Sequence, residues 1–220
     1  MKKEMKISET IGYHYKIIPG LCGKPTVGWD DADAFGPNVD TEVDTHLHFT
    51  PCVAQTFQDI FSRVKNNCSA ILEIGVWGDP HHEDNAGRST EFLRDMKNKD
   101  TIYLGIDNQD RSHVHDPENN MNFLQCDSTD KDAVNKEIKN LGIDEFDFIF
   151  IDGFHSINMV LWEWEHYVVR YLSKQGIAAF HDTNSHPGPY ALFEVIDPTI
   201  FVAEKYCLGN DYGIGAIWYK

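Results

Sequence analysis

The sequence predicts a doubly wound α/β fold, in which helices cover both faces of a mostly parallel sheet. From residue 70 onward, apolar runs bounded by turn residues alternate with segments that can form helices. Residues 148–151 are apolar at every position, which is typical of a strand buried on both faces. Residues 157–172 place apolar side chains at the i, i+3, i+4 and i+7 spacing of an amphipathic helix, which Ser156 can cap.

The remaining elements follow in chain order. Residues 11–51 are irregular and rich in Gly, Pro and Asp, so we expect an N-terminal arm or lid over residues 1–53 and a domain over residues 54–220. A short helix is predicted over residues 55–64 and another near residues 190–196. Each of the first four strands is followed by a segment able to form a helix. The predicted strands are Ala70–Val76, Thr101–Ile106, Asn122–Gln125, Phe146–Ile151, Gly176–Phe180, Ile200–Glu204 and Ile214–Tyr219.

Composition excludes some classes of partner. The formal net charge is −16, from 19 Lys and Arg against 35 Asp and Glu, so the surface repels nucleic acid and anionic membranes. The five cysteines are scattered without a C-x-x-C pair, which favours reduced thiols over a zinc site or disulfide framework. With no secretory leader and no long apolar run, we expect a cytoplasmic protein. Its oligomeric state is open, and a homo-oligomer is possible.

The carboxyl ends of the predicted strands are acidic. In open parallel sheets, ligands bind beyond these ends, and the acids there are Glu73, Asp107, Asp127, Asp152 and Asp182. A single Asp at such a position is often only a turn residue, but five at one edge favour a site. An acid after the second strand can accept hydrogen bonds from ribose hydroxyls, so this edge is interpreted as a nucleoside site.

The loop after the first strand argues against a dinucleotide. The G-x-G-x-x-G pattern is absent, because residues 75–78 lead into acids and histidines over residues 79–84, which would repel a pyrophosphate. A nicotinamide dehydrogenase is therefore disfavoured. A cationic nucleoside without phosphates suits the acidic surroundings, and S-adenosylmethionine, with its sulfonium centre, meets that description.

Together these segments resemble the class I S-adenosylmethionine-dependent methyltransferases, and most of all the branch of macrolide-sugar O-methyltransferases and cephalosporin-hydroxylase-like proteins. The resemblance covers residues 45–220. It is carried by Glu73-x-Gly75, Ile106-Asp107, Asp127-Ser128, Ile151-Asp152-Gly153-x-His155-Ser156 and His181-Asp182-Thr183. It implies a Rossmann-like seven-stranded sheet whose last strand is antiparallel, with residues 214–219 as that strand.

The resemblance implies a cofactor site formed after the first three strands. Glu73 and Gly75 would line the methionine part, Asp107 would hold the ribose, and Asp127 with Ser128 would flank the adenine. Gly78 and Asn108 belong to the same expected site. The segment Gly78–Ala86 is longer than the turn found in related sequences, and it could cover the cofactor or select the acceptor.

The resemblance also implies a site for a divalent cation, Mg²⁺. Asp152, Asp182 and His181 are its candidate ligands, and Asp152 and His155 are the candidate catalytic residues. His155 would be the general base, although it could instead be a third ligand or a neighbour of the helix cap. His186 is interpreted as part of a turn before the next helix, in a loop that could close over the acceptor.

These expectations add up to an O-methyltransferase that moves the methyl group of S-adenosylmethionine to a hydroxyl of a small molecule. The resemblance favours a sugar or glycosylated natural product as acceptor, with assistance from Mg²⁺. A hydroxylase-like enzyme that performs other chemistry remains an alternative. A non-catalytic S-adenosylmethionine-binding protein is a second alternative, which the longer Gly78–Ala86 segment keeps open.

Overall fold

The computed structural model describes residues 51–76, 88–184, 186–206 and 212–220. The predicted arm over residues 1–53 lies outside these ranges except for its last three residues, which begin the first helix. The segment Gly78–Ala86 also lies outside them. The division of the chain into arm and domain therefore stays a prediction.

Helices and strands alternate along the described part of the chain. The helices are α1 (Pro51–Ser62), α2 (Arg88–Met96), α3 (Lys131–Asn140), α4 (Ile157–Glu163), α5 (Val169–Tyr171) and α6 (Pro187–Val195). The strands are β1 (Ala70–Ile74), β2 (Ile102–Asp107), β3 (Met121–Gln125), β4 (Phe146–Ile151), β5 (Leu172–His181), β6 (Phe201–Tyr206) and β7 (Ile214–Tyr219). A π-helical turn, Trp164–Val168, joins α4 to α5.

The strands form one seven-stranded sheet in the order β3-β2-β1-β4-β5-β7-β6. Strands β1 to β5 are parallel, and β7 runs antiparallel to both β5 and β6. The predicted doubly wound, Rossmann-like sheet with an antiparallel last strand is therefore confirmed. From β1 the chain builds outward on one side through β2 and β3, and on the other through β4 and β5. A crevice at the carboxyl ends follows from this reversal of strand order.

The hydrophobic core covers both faces of the sheet. Every residue of β1 is buried, and neighbouring residues point to opposite sides: Ile71 packs with α1, whereas Leu72 packs with α4 and its π-helical extension. On the α1 side, the rings of Phe57 and Phe150 meet edge to face with centroids 4.7 Å apart. The continuous apolar runs of the sequence thus belong to strands that are covered on both sides.

Most elements differ from their predicted bounds by a few residues, and three differences are larger. No helix of α type follows β2; the chain makes two 3-10 turns, Ser112–Val114 and Pro117–Asn119, because residues 108–120 carry no apolar periodicity to bury. The predicted helix 157–172 stops at residue 171 and contains the π-helical turn. Strand β5 begins at Leu172, before the predicted Gly176. No helix in the described ranges is long and apolar enough to cross a membrane.

Candidate active site

A cavity of about 460 Å³ opens at the carboxyl ends of β1 to β4, where the strand order reverses. Its wall contains five of the seven residues predicted to bind the cofactor, together with Asp152 from the predicted metal site. The five are Gly75, Asp107, Asn108, Asp127 and Ser128. Its wall also includes Ile74, Ile106, Gln109, Arg111, Cys126, Gly153, Phe154, Met159 and Glu163. Of the other predicted cofactor residues, Gly78 lies outside the described residues, and Glu73 is not part of this wall.

Gly75 makes the turn that shapes the floor of the cavity. Its backbone adopts φ +85°, and a Cβ placed there would lie 2.1 Å from the carbonyl oxygen of Asp152. The Gly75 amide donates to the carbonyl of Ile106 at 2.9 Å, and the Asp152 amide donates to that of Ile74 at 2.8 Å. Only glycine permits this conformation and this close approach of the β1 and β4 ends.

Asp107 and Asp127 begin the loops after β2 and β3, and each carboxylate is oriented by its own turn. Oδ1 of Asp107 accepts a hydrogen bond from the Gln109 amide at 2.7 Å. Burial raises the pKa of Asp107 overall, although this hydrogen bond and the Arg111 charge oppose the rise. Oδ1 of Asp127 accepts from the amide of Thr129 at 2.8 Å. Both side chains therefore have preset orientations at the cavity, as a hydroxyl-rich ligand requires.

The structure places the Glu73 side chain beneath helix α2 and not on the cavity wall, so its expected contact with the cofactor stays a prediction. The side chain is fully buried, and its carboxylate accepts from Ser89 Oγ at 2.6 Å, from Thr90 Oγ1 at 2.9 Å and from the hydroxyl of Tyr103. Burial raises its pKa to about 7, against the opposing effect of these hydrogen bonds. Glu73 thus attaches the first turn of α2 to the sheet through the hydroxyls of Ser89 and Thr90.

Asp152, His181 and Asp182 lie together where β4 and β5 end. His181 Nδ1 is 3.0 Å from Asp152 Oδ1 and 3.3 Å from Asp182 Oδ1. One potential ligand atom from each of the three residues lies within 4.8 Å of the others. Asp182 adopts the left-handed backbone conformation, φ 59°, which is uncommon outside glycine and typical of functional sites. The structure therefore brings together all three residues predicted to bind the metal.

His155 and His186 complete this cluster. His155 Nε2 is 3.4 Å from both Asp152 Oδ1 and Asp182 Oδ2, a distance typical of an ion pair without a well-formed hydrogen bond. The His186 ring stacks on that of His155 with centroids 4.8 Å apart, and its Nε2 is 3.7 Å from Asp182 Oδ2. His155, Asp182 and His186 form a second group of potential metal ligands. His186 thus precedes α6, as predicted, and also belongs to the cluster.

The electrostatics of the cluster are those of carboxylates surrounded by imidazoles. Burial opposes ionisation of Asp152 and Asp182, but the charge of His181 and the contacts with His155 outweigh it and lower both pKa values. Burial also opposes the charge on His155 and His181, yet the two carboxylates prevail and raise their pKa values. For His186 burial prevails, and its pKa is lowered. The cluster therefore holds two anionic carboxylates beside two imidazoles with raised pKa values, those of His155 and His181.

Sequence reasoning missed Glu163 and Arg111, which also line the cavity. Glu163 is buried at the end of α4, on the same side of the helix as Val160 and Tyr167. A charged residue within this apolar stripe was the signal that could have identified it. Arg111 lies in the loop after β2, where no periodicity constrained the prediction.

Comparison with known proteins identifies the fold. No protein-family model matches the sequence, and no curated protein does either. Among solved structures, the MycE methyltransferase from the mycinamycin biosynthetic pathway, in complex with Mg and S-adenosylhomocysteine (SAH), matches with a TM-score of 0.56 and 17% identity. That match covers 84% of this chain and 55% of MycE, so the chain spans about half the length of that protein.

Two shorter methyltransferases match over most of their own length. An O-methyltransferase from Bacillus cereus in complex with SAH has a TM-score of 0.52 and 17% identity, covering 94% of this chain and 96% of that one. CalS11, a TDP-rhamnose 3'-O-methyltransferase of calicheamicin biosynthesis, has a TM-score of 0.52 and 13% identity, covering 74% and 77%. At these identities the comparisons establish the fold: the chain folds as these O-methyltransferases do, in agreement with the resemblance predicted from its strand-end motifs.

Proposed function

We propose that this protein is an O-methyltransferase that uses S-adenosylmethionine to methylate a hydroxyl of a small molecule. The observation that carries the proposal is the position of Asp152, which lies both on the cavity wall and within the cluster of His155, His181 and Asp182. A donor in the cavity and an acceptor hydroxyl at the cluster would therefore lie side by side. Methyl transfer requires this juxtaposition, because it is an in-line displacement that depends on alignment.

The cavity has the chemistry of an S-adenosylmethionine site. Asp107 can accept hydrogen bonds from ribose hydroxyls. Gly75 has no side chain, so a ligand can approach the backbone closely at this turn. Asp127 and Asp152 add negative charge that favours a sulfonium over a pyrophosphate. The structures of MycE and of the Bacillus cereus enzyme contain SAH, which supports the same ligand class here.

The cluster also fits a divalent cation. Mg²⁺ is commonly bound by one or two carboxylates together with water, and Asp152 and Asp182 supply two buried carboxylates with lowered pKa values. We propose that these two residues, with His181 beside them, hold Mg²⁺, the ion present in the MycE complex. A cation there would lower the pKa of the acceptor hydroxyl and orient it.

His155 is proposed to accept the proton of the acceptor hydroxyl. The ring is only 8% exposed, and the carboxylates of Asp152 and Asp182 raise its proton affinity. As the hydroxyl oxygen forms its bond to the methyl carbon, the carbon–sulfur bond breaks and the proton moves to the imidazole of His155, which must be neutral beforehand. Stacking against His186 holds the ring of His155 in place for this transfer.

We propose a sugar or glycosylated natural product as the acceptor. Support comes from the structural neighbours: one MycE structure contains mycinamycin VI, and CalS11 is a TDP-rhamnose 3'-O-methyltransferase. Nucleic acid and anionic membranes are not expected as partners of a chain with net charge −16. The acceptor panel should therefore contain macrolides, sugar nucleotides and catechols.

Calorimetric titration with S-adenosylmethionine and SAH, followed by transfer of labelled methyl groups to this panel, tests the proposal. We expect micromolar binding and transfer to at least one hydroxyl compound. Asp182→Asn should reduce transfer at least 100-fold without weakening SAH binding, because this side chain is absent from the cavity wall. Asp144→Asn, an exposed position, is the matched control. Binding of SAH without transfer to any acceptor would instead favour the non-catalytic alternative.

A further inference from the structure

Glu163 is a buried carboxylic acid on the cavity wall that the proposed mechanism does not use. Its side chain lies at the end of α4, and the residue is 1% exposed. Oε1 accepts a hydrogen bond from Ser128 Oγ at 2.7 Å. Oε2 is buried and has no hydrogen-bond partner among the described residues. A buried carboxylate oxygen without a donor is costly, so its presence at a binding cavity points to a ligand that supplies the donor.

The surroundings of Glu163 indicate the shape of that ligand. Met159, one helical turn earlier, also lines the cavity, and its Sδ is 3.7 Å from Ser128 Oγ. Gly153 also lines the cavity, and a Cβ on this residue would be 3.5 Å from Ile74 Cγ2 and 3.7 Å from Glu163 Oε1. The lining around Glu163 thus combines the apolar side chains of Met159 and Ile74 with the polar groups of Ser128 and Glu163. A flat heteroaromatic ring with an N–H group on its rim suits such a surface.

Asp107 and Asp127, also on the cavity wall, have one oxygen hydrogen-bonded, as Glu163 does, but they are less buried than Glu163. Oδ1 of Asp107 is occupied by the Gln109 amide, and Oδ1 of Asp127 by the amide and hydroxyl of Thr129. Asp107 ends β2 and is half-buried, and Asp127, in the loop after β3, is exposed. Glu163 differs because it is buried, and an unpaired oxygen costs more there than at an exposed carboxylate.

We propose that Glu163 determines the base specificity of the site by accepting a hydrogen bond from the exocyclic amino group of a 6-aminopurine. The inference rests on the proposed function, because it assigns the base of the nucleoside cofactor to this wall. A 6-oxopurine would present a carbonyl oxygen to the carboxylate, leaving two acceptors face to face. The site would therefore select adenosine-based ligands and reject their inosine-based counterparts.

The test compares binding of SAH with binding of S-inosylhomocysteine, in which a 6-oxo group replaces the amino group. Calorimetry is performed at about pH 8, where Glu163, whose pKa burial raises to about 7, is ionised. Wild type should bind SAH about 10- to 100-fold more tightly than the oxo analogue, the range expected for a hydrogen bond to a charged group. In Glu163→Leu this preference should fall to within about 3-fold.

Two further variants make the test specific. In Glu163→Gln the amide can donate to a 6-oxo group, so the preference should shrink or reverse while the side-chain volume is kept. Glu165→Gln makes the same chemical change two residues away, off the cavity wall, and should retain the wild-type preference. Circular dichroism confirms that each variant is folded.

The outcomes separate the inference from the proposed function. If Glu163→Leu and Glu163→Gln both keep the wild-type preference for SAH, the assignment of Glu163 is wrong while the nucleoside site stands. If wild type binds neither compound, the proposed function fails and the base assignment fails with it.

Discussion

In wild type, we expect the free energy of unfolding to fall as pH rises, because of the buried Glu73 carboxyl between β1 and α2. Replacing Glu73 by Gln should remove this pH dependence. Glu73 is fully buried, and burial raises its pKa from 4.5 to about 7 despite hydrogen bonds from Ser89, Tyr103 and Thr90. Between these two pH values the folded protein binds a proton that the unfolded chain releases. The free energy of unfolding must therefore fall as pH rises through this window.

The magnitude follows from the two pKa values. At about 1.4 kcal/mol for each pH unit, a rise from 4.5 to about 7 corresponds to roughly 3 kcal/mol. The contribution of the protonated Glu73 is fully present below pH 4.5 and is lost as pH rises through about 7. Gln does not titrate, so the stability of the variant relative to wild type should increase by roughly 3 kcal/mol between about pH 4.5 and pH 8.

Urea unfolding of wild type and Glu73→Gln over this pH range measures the difference directly. Glu91→Gln, an exposed position in the same helix α2, should follow wild type at every pH. SAH binding should be unchanged in Glu73→Gln, because Glu73 is not part of the cavity wall. If the unfolding free energies of wild type and Glu73→Gln differed by the same amount at every pH, the burial argument would be refuted. A large loss of SAH affinity in Glu73→Gln would indicate that Glu73 contributes to cofactor binding.

Three further predictions concern the cavity and the cluster. Gly75→Ala should lower the unfolding midpoint and weaken SAH binding at least 10-fold, because its Cβ would lie 2.1 Å from the Asp152 carbonyl oxygen; unchanged binding by calorimetry would contradict this. His155→Gln should slow labelled-methyl transfer about 10²- to 10⁴-fold while SAH binding is retained, and normal turnover would exclude it as the base. Mg²⁺ binding should release protons and weaken as pH falls, because Asp182 and Asp152 raise the pKa of His181 and hold its proton. Calorimetry in buffers of different ionisation enthalpy measures the protons released. Mg²⁺ binding without proton release would argue against a site at His181.

The strands were predictable because their signal is local. A strand such as β4, buried on both faces, must be apolar at nearly every position, and the acids that follow it mark its end. The loop after β2 was harder, since residues 108–120 lack periodicity and the choice between helix and turns depends on tertiary contacts. The fold class and the positions of the strands therefore followed from the sequence better than the connections did.

The candidate site was only partly predictable, for a different reason. Asp107 and Asp152 could be placed at the cavity because the carboxyl ends of parallel strands share one edge. Glu73 also lies near that edge, but the sequence does not show that the hydroxyls of Ser89 and Thr90 fold onto it. Its side chain consequently serves the packing of α2.

The sequence by itself determined the doubly wound sheet and the acidic carboxyl edge of its strands, because burial periodicity and strand-end residue types depend on consecutive residues. Only the tertiary structure decided which acids face the cavity. Glu163 lies on a helix far along the chain from Asp107, and His186 reaches Asp182 only after the loop between β5 and α6 folds back onto His155. Such contacts depend on side-chain direction and loop closure, and these are set by packing between elements distant in sequence.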